Sequence, residues 1–193
     1  MNRNIESKLV AYIDGKLAEN GLAQEAIKNK DARLLLICAA HACVGIREKG
    51  GNNQGPLVEL IQETVGGHSG ERWCLSFVQT LIAYSEVKLG ITSRFPVGEH
   101  CMTAWNQAND DLRVKFQPLP GAVIIWRHGT TSSGHTGIFL ESDGGQMRCI
   151  EGNTESGVNG DGSIESDGGG VYLTKRSMKQ DGNMRVVGFL KPF

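Results

Sequence analysis

The sequence has no long hydrophobic run: its longest apolar stretch, residues 34–40, is far short of the roughly 20 residues that span a bilayer. It also lacks an imbalance of charge, with 20 Lys and Arg against 21 Asp and Glu and a formal net charge of -1. That excludes the basic footprint of a nucleic-acid binder and any strong pull toward anionic membranes. There is no CxxC, and the spacings of the five cysteines, Cys38, Cys43, Cys74, Cys101 and Cys149, fit no zinc pattern. No metal and no cofactor is therefore expected. The odd cysteine count implies a reduced chain with at least one free thiol, leaving open a disulfide between some pair. Met1-Asn2-Arg3-Asn4 lacks an apolar signal core and a small-residue cleavage site. The expectation is synthesis in the cytoplasm without a signal peptide. Internal repeats and low-complexity tracts are absent as well.

What is present divides into two halves. Up to about residue 110 the apolar residues recur at helical spacing, predicting helices over 5–17, 32–47, 56–65, 74–90 and 98–108. Gly50-Gly51-Asn52-Asn53 breaks the second and third apart, and Pro56 suits the first turn of the third. Beyond residue 120 the pattern turns strand-like over 122–126, 136–141, 147–151, 170–174 and 185–191. Asp143-Gly144-Gly145 marks a hairpin between two of these runs. Helices first and strands after predict an α+β fold with N-terminal helices packed on an antiparallel β-sheet. Residues 154–170, rich in Gly, Asp, Ser and Asn, read as a long loop. Asn159-Gly160-Asp161-Gly162-Ser163 lacks full EF-hand spacing, so Asp161 and Asp167 read as a solvated acidic loop rather than a calcium site.

One stretch carries chemistry. In Arg72-Trp73-Cys74-Leu75-Ser76-Phe77-Val78 a cysteine stands where an apolar helix begins, after a loop containing Gly66, Gly67, Ser69 and Gly70. Unpaired backbone N–H groups and the helix dipole stabilise a thiolate in that position. The thiolate is the nucleophilic form. The alternative is a small buried apolar residue. A cysteine nucleophile needs a base, and five histidines are available: His41, His68, His100, His128 and His135. His41 falls within a helix, His68 in the glycine loop, His100 in a polar stretch, and His128 at a strand exit. His135, in Ser133-Gly134-His135-Thr136-Gly137, stands at the start of a strand, where a sheet edge would hold its ring toward a cleft. If this strand pairs with the next through the Gly144-Gly145 turn, His135 meets the Glu151-Gly152-Asn153 end. Either Glu151 or Asn153 is then placed to accept the imidazole N–H and fix its tautomer.

These segments resemble a known family. Trp73-Cys74-Leu75-Ser76-Phe77-Val78 is similar to the nucleophile motif of the CHAP group (cysteine, histidine-dependent amidohydrolase/peptidase) of the papain-like NlpC/P60 superfamily. Pro120-Gly121-Ala122-Val123-Ile124-Ile125-Trp126 resembles the strand before its histidine, and Gly134-His135-Thr136-Gly137-Ile138 the histidine strand. Glu151-Gly152-Asn153-Thr154 resembles its acid-amide motif. Gly169-Gly170-Val171-Tyr172 and Gly188-Phe189 resemble its closing strands, and Gly45-Ile46-Arg47-Glu48 with Gly50-Gly51-Asn52 the lead-in of a bacterial and phage amidase-like branch. The likeness runs in order over residues 44–193. It departs at Ala122, where many relatives carry aspartate, and at Leu75, which replaces a commoner small residue and would be expected to narrow the cleft.

The resemblance implies a papain-like fold, with residues 32–193 forming the hydrolase domain and 1–31 a helical extension. It implies a thiol hydrolase cutting peptidoglycan amide bonds, as a muramoyl-alanine amidase or a stem-peptide endopeptidase. Cys74 would attack, His135 would move the proton, Glu151 would orient His135, and Asn153 would be a second polar support. The Cys74 backbone N–H would serve the oxyanion, without a metal. A hydrolase of small γ-glutamyl or polyamine amides on the same scaffold is the alternative, and a non-catalytic binding module a third. Acting on the cell wall without a signal requires release or export. The N-terminal helix is either a docking element for an export or immunity partner or a helix packed on the domain.

Overall fold

The computed structural model describes residues 3–155 and 168–193, and the Asp161 and Asp167 loop lies outside them. Six helices precede six strands among the described residues. The helices are α1 (Ser7–Leu17), α2 (Gly21–Asn29), α3 (Ala32–Cys43), α4 (Pro56–Glu63), α5 (Cys74–Leu89) and α6 (Cys101–Gln107). The strands are β1 (Val123–His128), β2 (Gly134–Asp143), β3 (Gln146–Thr154), β4 (Gly170–Ser177), β5 (Gln180–Asp181) and β6 (Met184–Leu190). They form one antiparallel sheet in the order β4-β3-β2-β1-β6-β5. The α+β class, with helices laid on an antiparallel sheet, is the one the sequence pattern calls for. No helix among the described residues is long and apolar enough to cross a membrane.

Helix α2 was not anticipated. The Asn20 side chain accepts from Ala23 N–H at 3.0 Å to start it, and Lys30, left-handed at φ 54°, ends it. Asp31 then caps α3 by accepting from Leu34 N–H at 2.9 Å. Helix α3 stops at Cys43, short of the expected residue 47, because the backbone beyond it turns at Gly45 (φ 98°) to join the sheet. Gly45 N–H donates to Val171 O at 3.1 Å, and Val171 N–H donates to Ile46 O at 2.9 Å. The apolar rhythm that continued through Ile46 therefore serves a strand-like bridge.

The sheet buries both faces, which explains the unbroken apolar run of β1. Val123 and Ile125 join Ile138, Ile150, Val171 and Leu190 against the helices. Ile124 and Trp126 join Phe139, Met147, Cys149 and Phe189 on the opposite face. Leu9, Ile13 and Leu17 of α1 and Ala23 and Ala26 of α2 belong to the same core as α3 and α5. Helix α5 is buried along most of its length, so its apolar residues surround the axis rather than forming one stripe.

Candidate functional site

Two local features bring the start of α5 to the end of β3. The first is Asn153, itself left-handed at φ 57°, whose Oδ1 accepts from Trp73 N–H at 3.0 Å. The second is Gly152: a Cβ there would lie 2.7 Å from Phe77 Cβ and 2.9 Å from Trp73 Cζ3, so only glycine admits the helix this close. Cys74 is thereby held as the first residue of α5, 7% exposed. The hairpin register places Ile138 opposite Ile150, with Gly144 and Gly145 (φ 57° and 84°) making the turn. His135 and Glu151 consequently meet, Nε2 to Oε2, at 2.9 Å. Glu151 takes the imidazole, while Asn153 is tied to the backbone beside the cysteine.

One expectation is corrected here. Strand β2 is not a sheet edge but the third of six strands, and His135 is fully buried. Its ring stacks on Trp126, centroids 5.6 Å apart, instead of standing free in a cleft. The other histidines are elsewhere: His41 lies on α3, His68 is exposed in the glycine loop, His100 precedes α6, and His128 ends β1. The Cys74 backbone N–H lies in the first turn of α5, where no intrahelical acceptor exists.

The sequence pattern missed three elements of the site. The first is Arg176 on β4, buried with Glu151 and 0% exposed at its side chain. Its Nε donates to Glu151 Oε1 at 2.9 Å and Oε2 at 3.0 Å, and its Nη2 reaches Oε2 and, at 3.1 Å, Thr154 Oγ1. Asp181 lies 3.3 Å from Nη1, Thr174 Oγ1 also donates to Glu151, and the guanidinium sits over the Trp126 ring. The expected strand ended at residue 174; the alternation Tyr172, Thr174, Arg176 was the signal that it continues. The second is the loop after α3: Glu48 accepts from Trp73 Nε1 at 2.9 Å and from Asn53 N–H at 2.8 Å, and Asn53 Oδ1 accepts from Asn153 Nδ2 at 2.9 Å. The third is Cys101, at the start of α6, whose sulfur is 3.8 Å from that of Cys74.

The electrostatics follow from these contacts. Hydrogen bonding from Cys101 pulls the Cys74 thiol well below its usual range; burial opposes this, and His135 and the Leu75 N–H add to it. Cys101 moves the opposite way, well above its usual range, because of Cys74 and burial. Of the two thiols Cys74 is the ionised one, since His135 lies against it. Burial would lower the His135 pKa, but Cys74 and Glu151 outweigh it and raise the value to about 9. Burial would raise Glu151, but Arg176 foremost, with His135, brings it down to about 2. With Nε2 on Glu151, Nδ1 is buried and has no hydrogen-bond partner, which leaves it as the ring nitrogen available to Cys74. These shifts favour a thiolate–imidazolium pair backed by a carboxylate that stays ionised down to about pH 2.

A cleft of about 450 Å³ opens on Cys74, lined also by Arg72, His100, Cys101 and Ser133. A larger cavity of about 760 Å³, around Phe116, Leu119 and Phe193, has none of these four site residues in its lining. Among the described residues no cluster of three or more His, Cys, Asp or Glu could hold a metal ion.

Neither a curated protein nor a solved structure matched the chain. Residues 66–153 match the family model of the CHAP domain, whose members are generally hydrolytic amidases and peptidases. The matched stretch runs from the glycine loop before Cys74 through His135 and Glu151 to Asn153, so the part of the chain that carries these residues is similar to a CHAP domain.

Proposed function

We propose that the protein is a cysteine-dependent hydrolase of peptidoglycan amide bonds, an N-acetylmuramoyl-L-alanine amidase or a stem-peptide endopeptidase. The observation that carries this is the line from Cys74 through His135 to Glu151, with the His135–Glu151 contact at 2.9 Å and both groups fully buried. The Cys74 thiolate attacks the scissile carbonyl carbon. Its own backbone N–H, free in the first turn of α5, stabilises the oxyanion. His135, protonated between Cys74 and Glu151, delivers its Nδ1 proton to the leaving amine as the C–N bond breaks. Neutral His135 then takes a proton from water, which attacks the thioester, expels the acid product and restores the ion pair. Glu151 holds the ring orientation and stays ionised throughout, because Arg176 stabilises its charge. Asn153 fixes the backbone at Trp73 and so the aim of the sulfur.

On this reading residues 32–193 are the hydrolase domain and residues 1–31 a helical extension packed on it. The enzyme meets the wall after release or export from the cytoplasm, with an export or immunity partner. Digestion of purified sacculi beside the Cys74→Ala variant tests the function, with mass spectrometry of released fragments. Cys74-dependent fragments are expected, and their new termini separate amidase from endopeptidase. Equal release by the variant overturns the reading. No release, from a thiol that alkylates rapidly, directs it to small amide substrates.

A further inference from the structure

No hydrolytic step makes or breaks a bond at Cys101, yet its sulfur is 3.8 Å from that of Cys74. The two come from different helices, α5 and α6, and both line the 450 Å³ cleft, so a small oxidant that reaches one reaches the other. Gly134 permits the approach: a Cβ there would lie 3.3 Å from Cys101 Cβ and 2.3 Å from Trp126 O. We propose that Cys74 and Cys101 form a peroxide-driven dithiol switch, in which Cys101 resolves oxidised Cys74 into a reversible disulfide that shuts the site.

The chemistry balances. The Cys74 thiolate attacks one oxygen of hydrogen peroxide; the O–O bond breaks, hydroxide leaves, and Cys74 becomes the sulfenic acid. The Cys101 sulfur then attacks Cys74; the S–S bond forms, the S–O bond breaks, and the hydroxyl departs with the Cys101 proton as water. Two electrons pass from the pair of sulfurs to one peroxide. A thiol reductant returns them and frees both cysteines. Bond formation needs the sulfurs to close by ~1.8 Å from their 3.8 Å separation to the disulfide length. Rotation of the two side chains and a small shift of the seven-residue α6 supply that. The remaining cysteines do not compete: Cys38, Cys43 and Cys149 are free and buried, and burial pushes each thiol above its usual range.

The inference rests on Cys74 being the reactive thiolate of the proposed hydrolase, but its readout is covalent and needs no substrate. The full chain is treated with hydrogen peroxide, then mapped by mass spectrometry without reduction. The expected result is a Cys74–Cys101 linked peptide, a mass lower by two hydrogens, and recovery of Cys74 alkylation on adding dithiothreitol. In Cys101→Ser the sulfenic acid should persist, trap with dimedone, and pass to the sulfinic acid, with at least ~10-fold less thiol recovery. Absence of the linked peptide, with sulfinic Cys74 accumulating equally in wild type and variant, overturns the proposal. A linked peptide from a chain that releases nothing from sacculi would overturn the substrate assignment and leave the switch standing.

Discussion

Replacing Arg176 with Met keeps the unbranched apolar stem of the side chain and removes the charge that holds Glu151 ionised. Glu151 and Arg176 are both 0% exposed at their side chains, so no solvent screens the loss. Breaking one partner of such a buried pair costs about 3–5 kcal/mol, because the other charge is left in low dielectric. The Glu151 pKa gives an independent figure. Its fall from the ordinary 4.5 to about 2 corresponds to about 3 kcal/mol of native-state stabilisation at neutral pH. A depressed carboxylate stabilises the fold fully above its unfolded value and loses that contribution as pH falls through its folded value. In the wild type this loss therefore falls between pH 4.5 and about pH 2, whereas Arg176→Met lacks the Arg176 share of the contribution already at pH 7. Urea unfolding at pH 7, followed by far-ultraviolet circular dichroism, and an acid titration of each protein read both effects. Arg176→Lys should recover part of the stability without the two-pronged contact. A Met variant within about 1 kcal/mol of wild type, with an unchanged acid midpoint, would refute the claim that Arg176 holds the carboxylate.

Four further outcomes are expected. Hydrolysis should fall as pH rises through about 9, where His135 loses its proton, while alkylation of Cys74 continues. The raised His135 value also means that its contribution to stability is complete below about 6.5 and lost as pH passes about 9, which unfolding midpoints across that range would register. Asn153→Ala removes the acceptor for Trp73 N–H and the donor to Asn53 and leaves at φ 57° a residue without the amide side chain that eases the left-handed region; a loss of about 2 kcal/mol in denaturant unfolding is expected, with slower alkylation of Cys74. Gly137→Ala would set a Cβ 2.6 Å from Glu151 Cγ and 3.0 Å from Ile150 O; steady-state kinetics should show kcat falling more than KM rises, with about 1–3 kcal/mol of destabilisation.

The layout of the fold was legible wherever one rhythm served one element. The change from helical to alternating spacing near residue 110 separates the six helices from the six strands. The Gly144-Gly145 turn set the β2–β3 register that brings His135 to Glu151. Rhythm fails where a different partner uses the same apolar residue. Ile46 continues the spacing of α3 but is buried against the sheet, because Gly45 at φ 98° ends the helical path. Helix α2 buries only Ala23 and Ala26, too little apolar signal to stand out, although Asn20 and Asp31 are caps visible in the sequence.

The site divides in the same way, and the division has a physical reason. Cys74 is recognisable because its placement is local, at the point where a helix starts, although Cys101 and His135 do most to lower its pKa. His135 and Glu151 are recognisable because a hairpin makes their separation local too, 16 residues across one turn. Arg176 and Cys101 are set by contacts 25 and 27 residues away that no turn dictates. Arg176 reaches Glu151 only because β4 pairs with β3 beyond the loop, and Cys101 reaches Cys74 only because α6 folds back over Gly134. The attacking sulfur and its base are thus written in short motifs, whereas the groups that set their charge are written in the tertiary fold. A short-range motif can identify a thiol–imidazole pair. Whether the carboxylate behind it stays ionised, and whether the thiol has a resolving neighbour, depends on which strand and helix the chain lays against it.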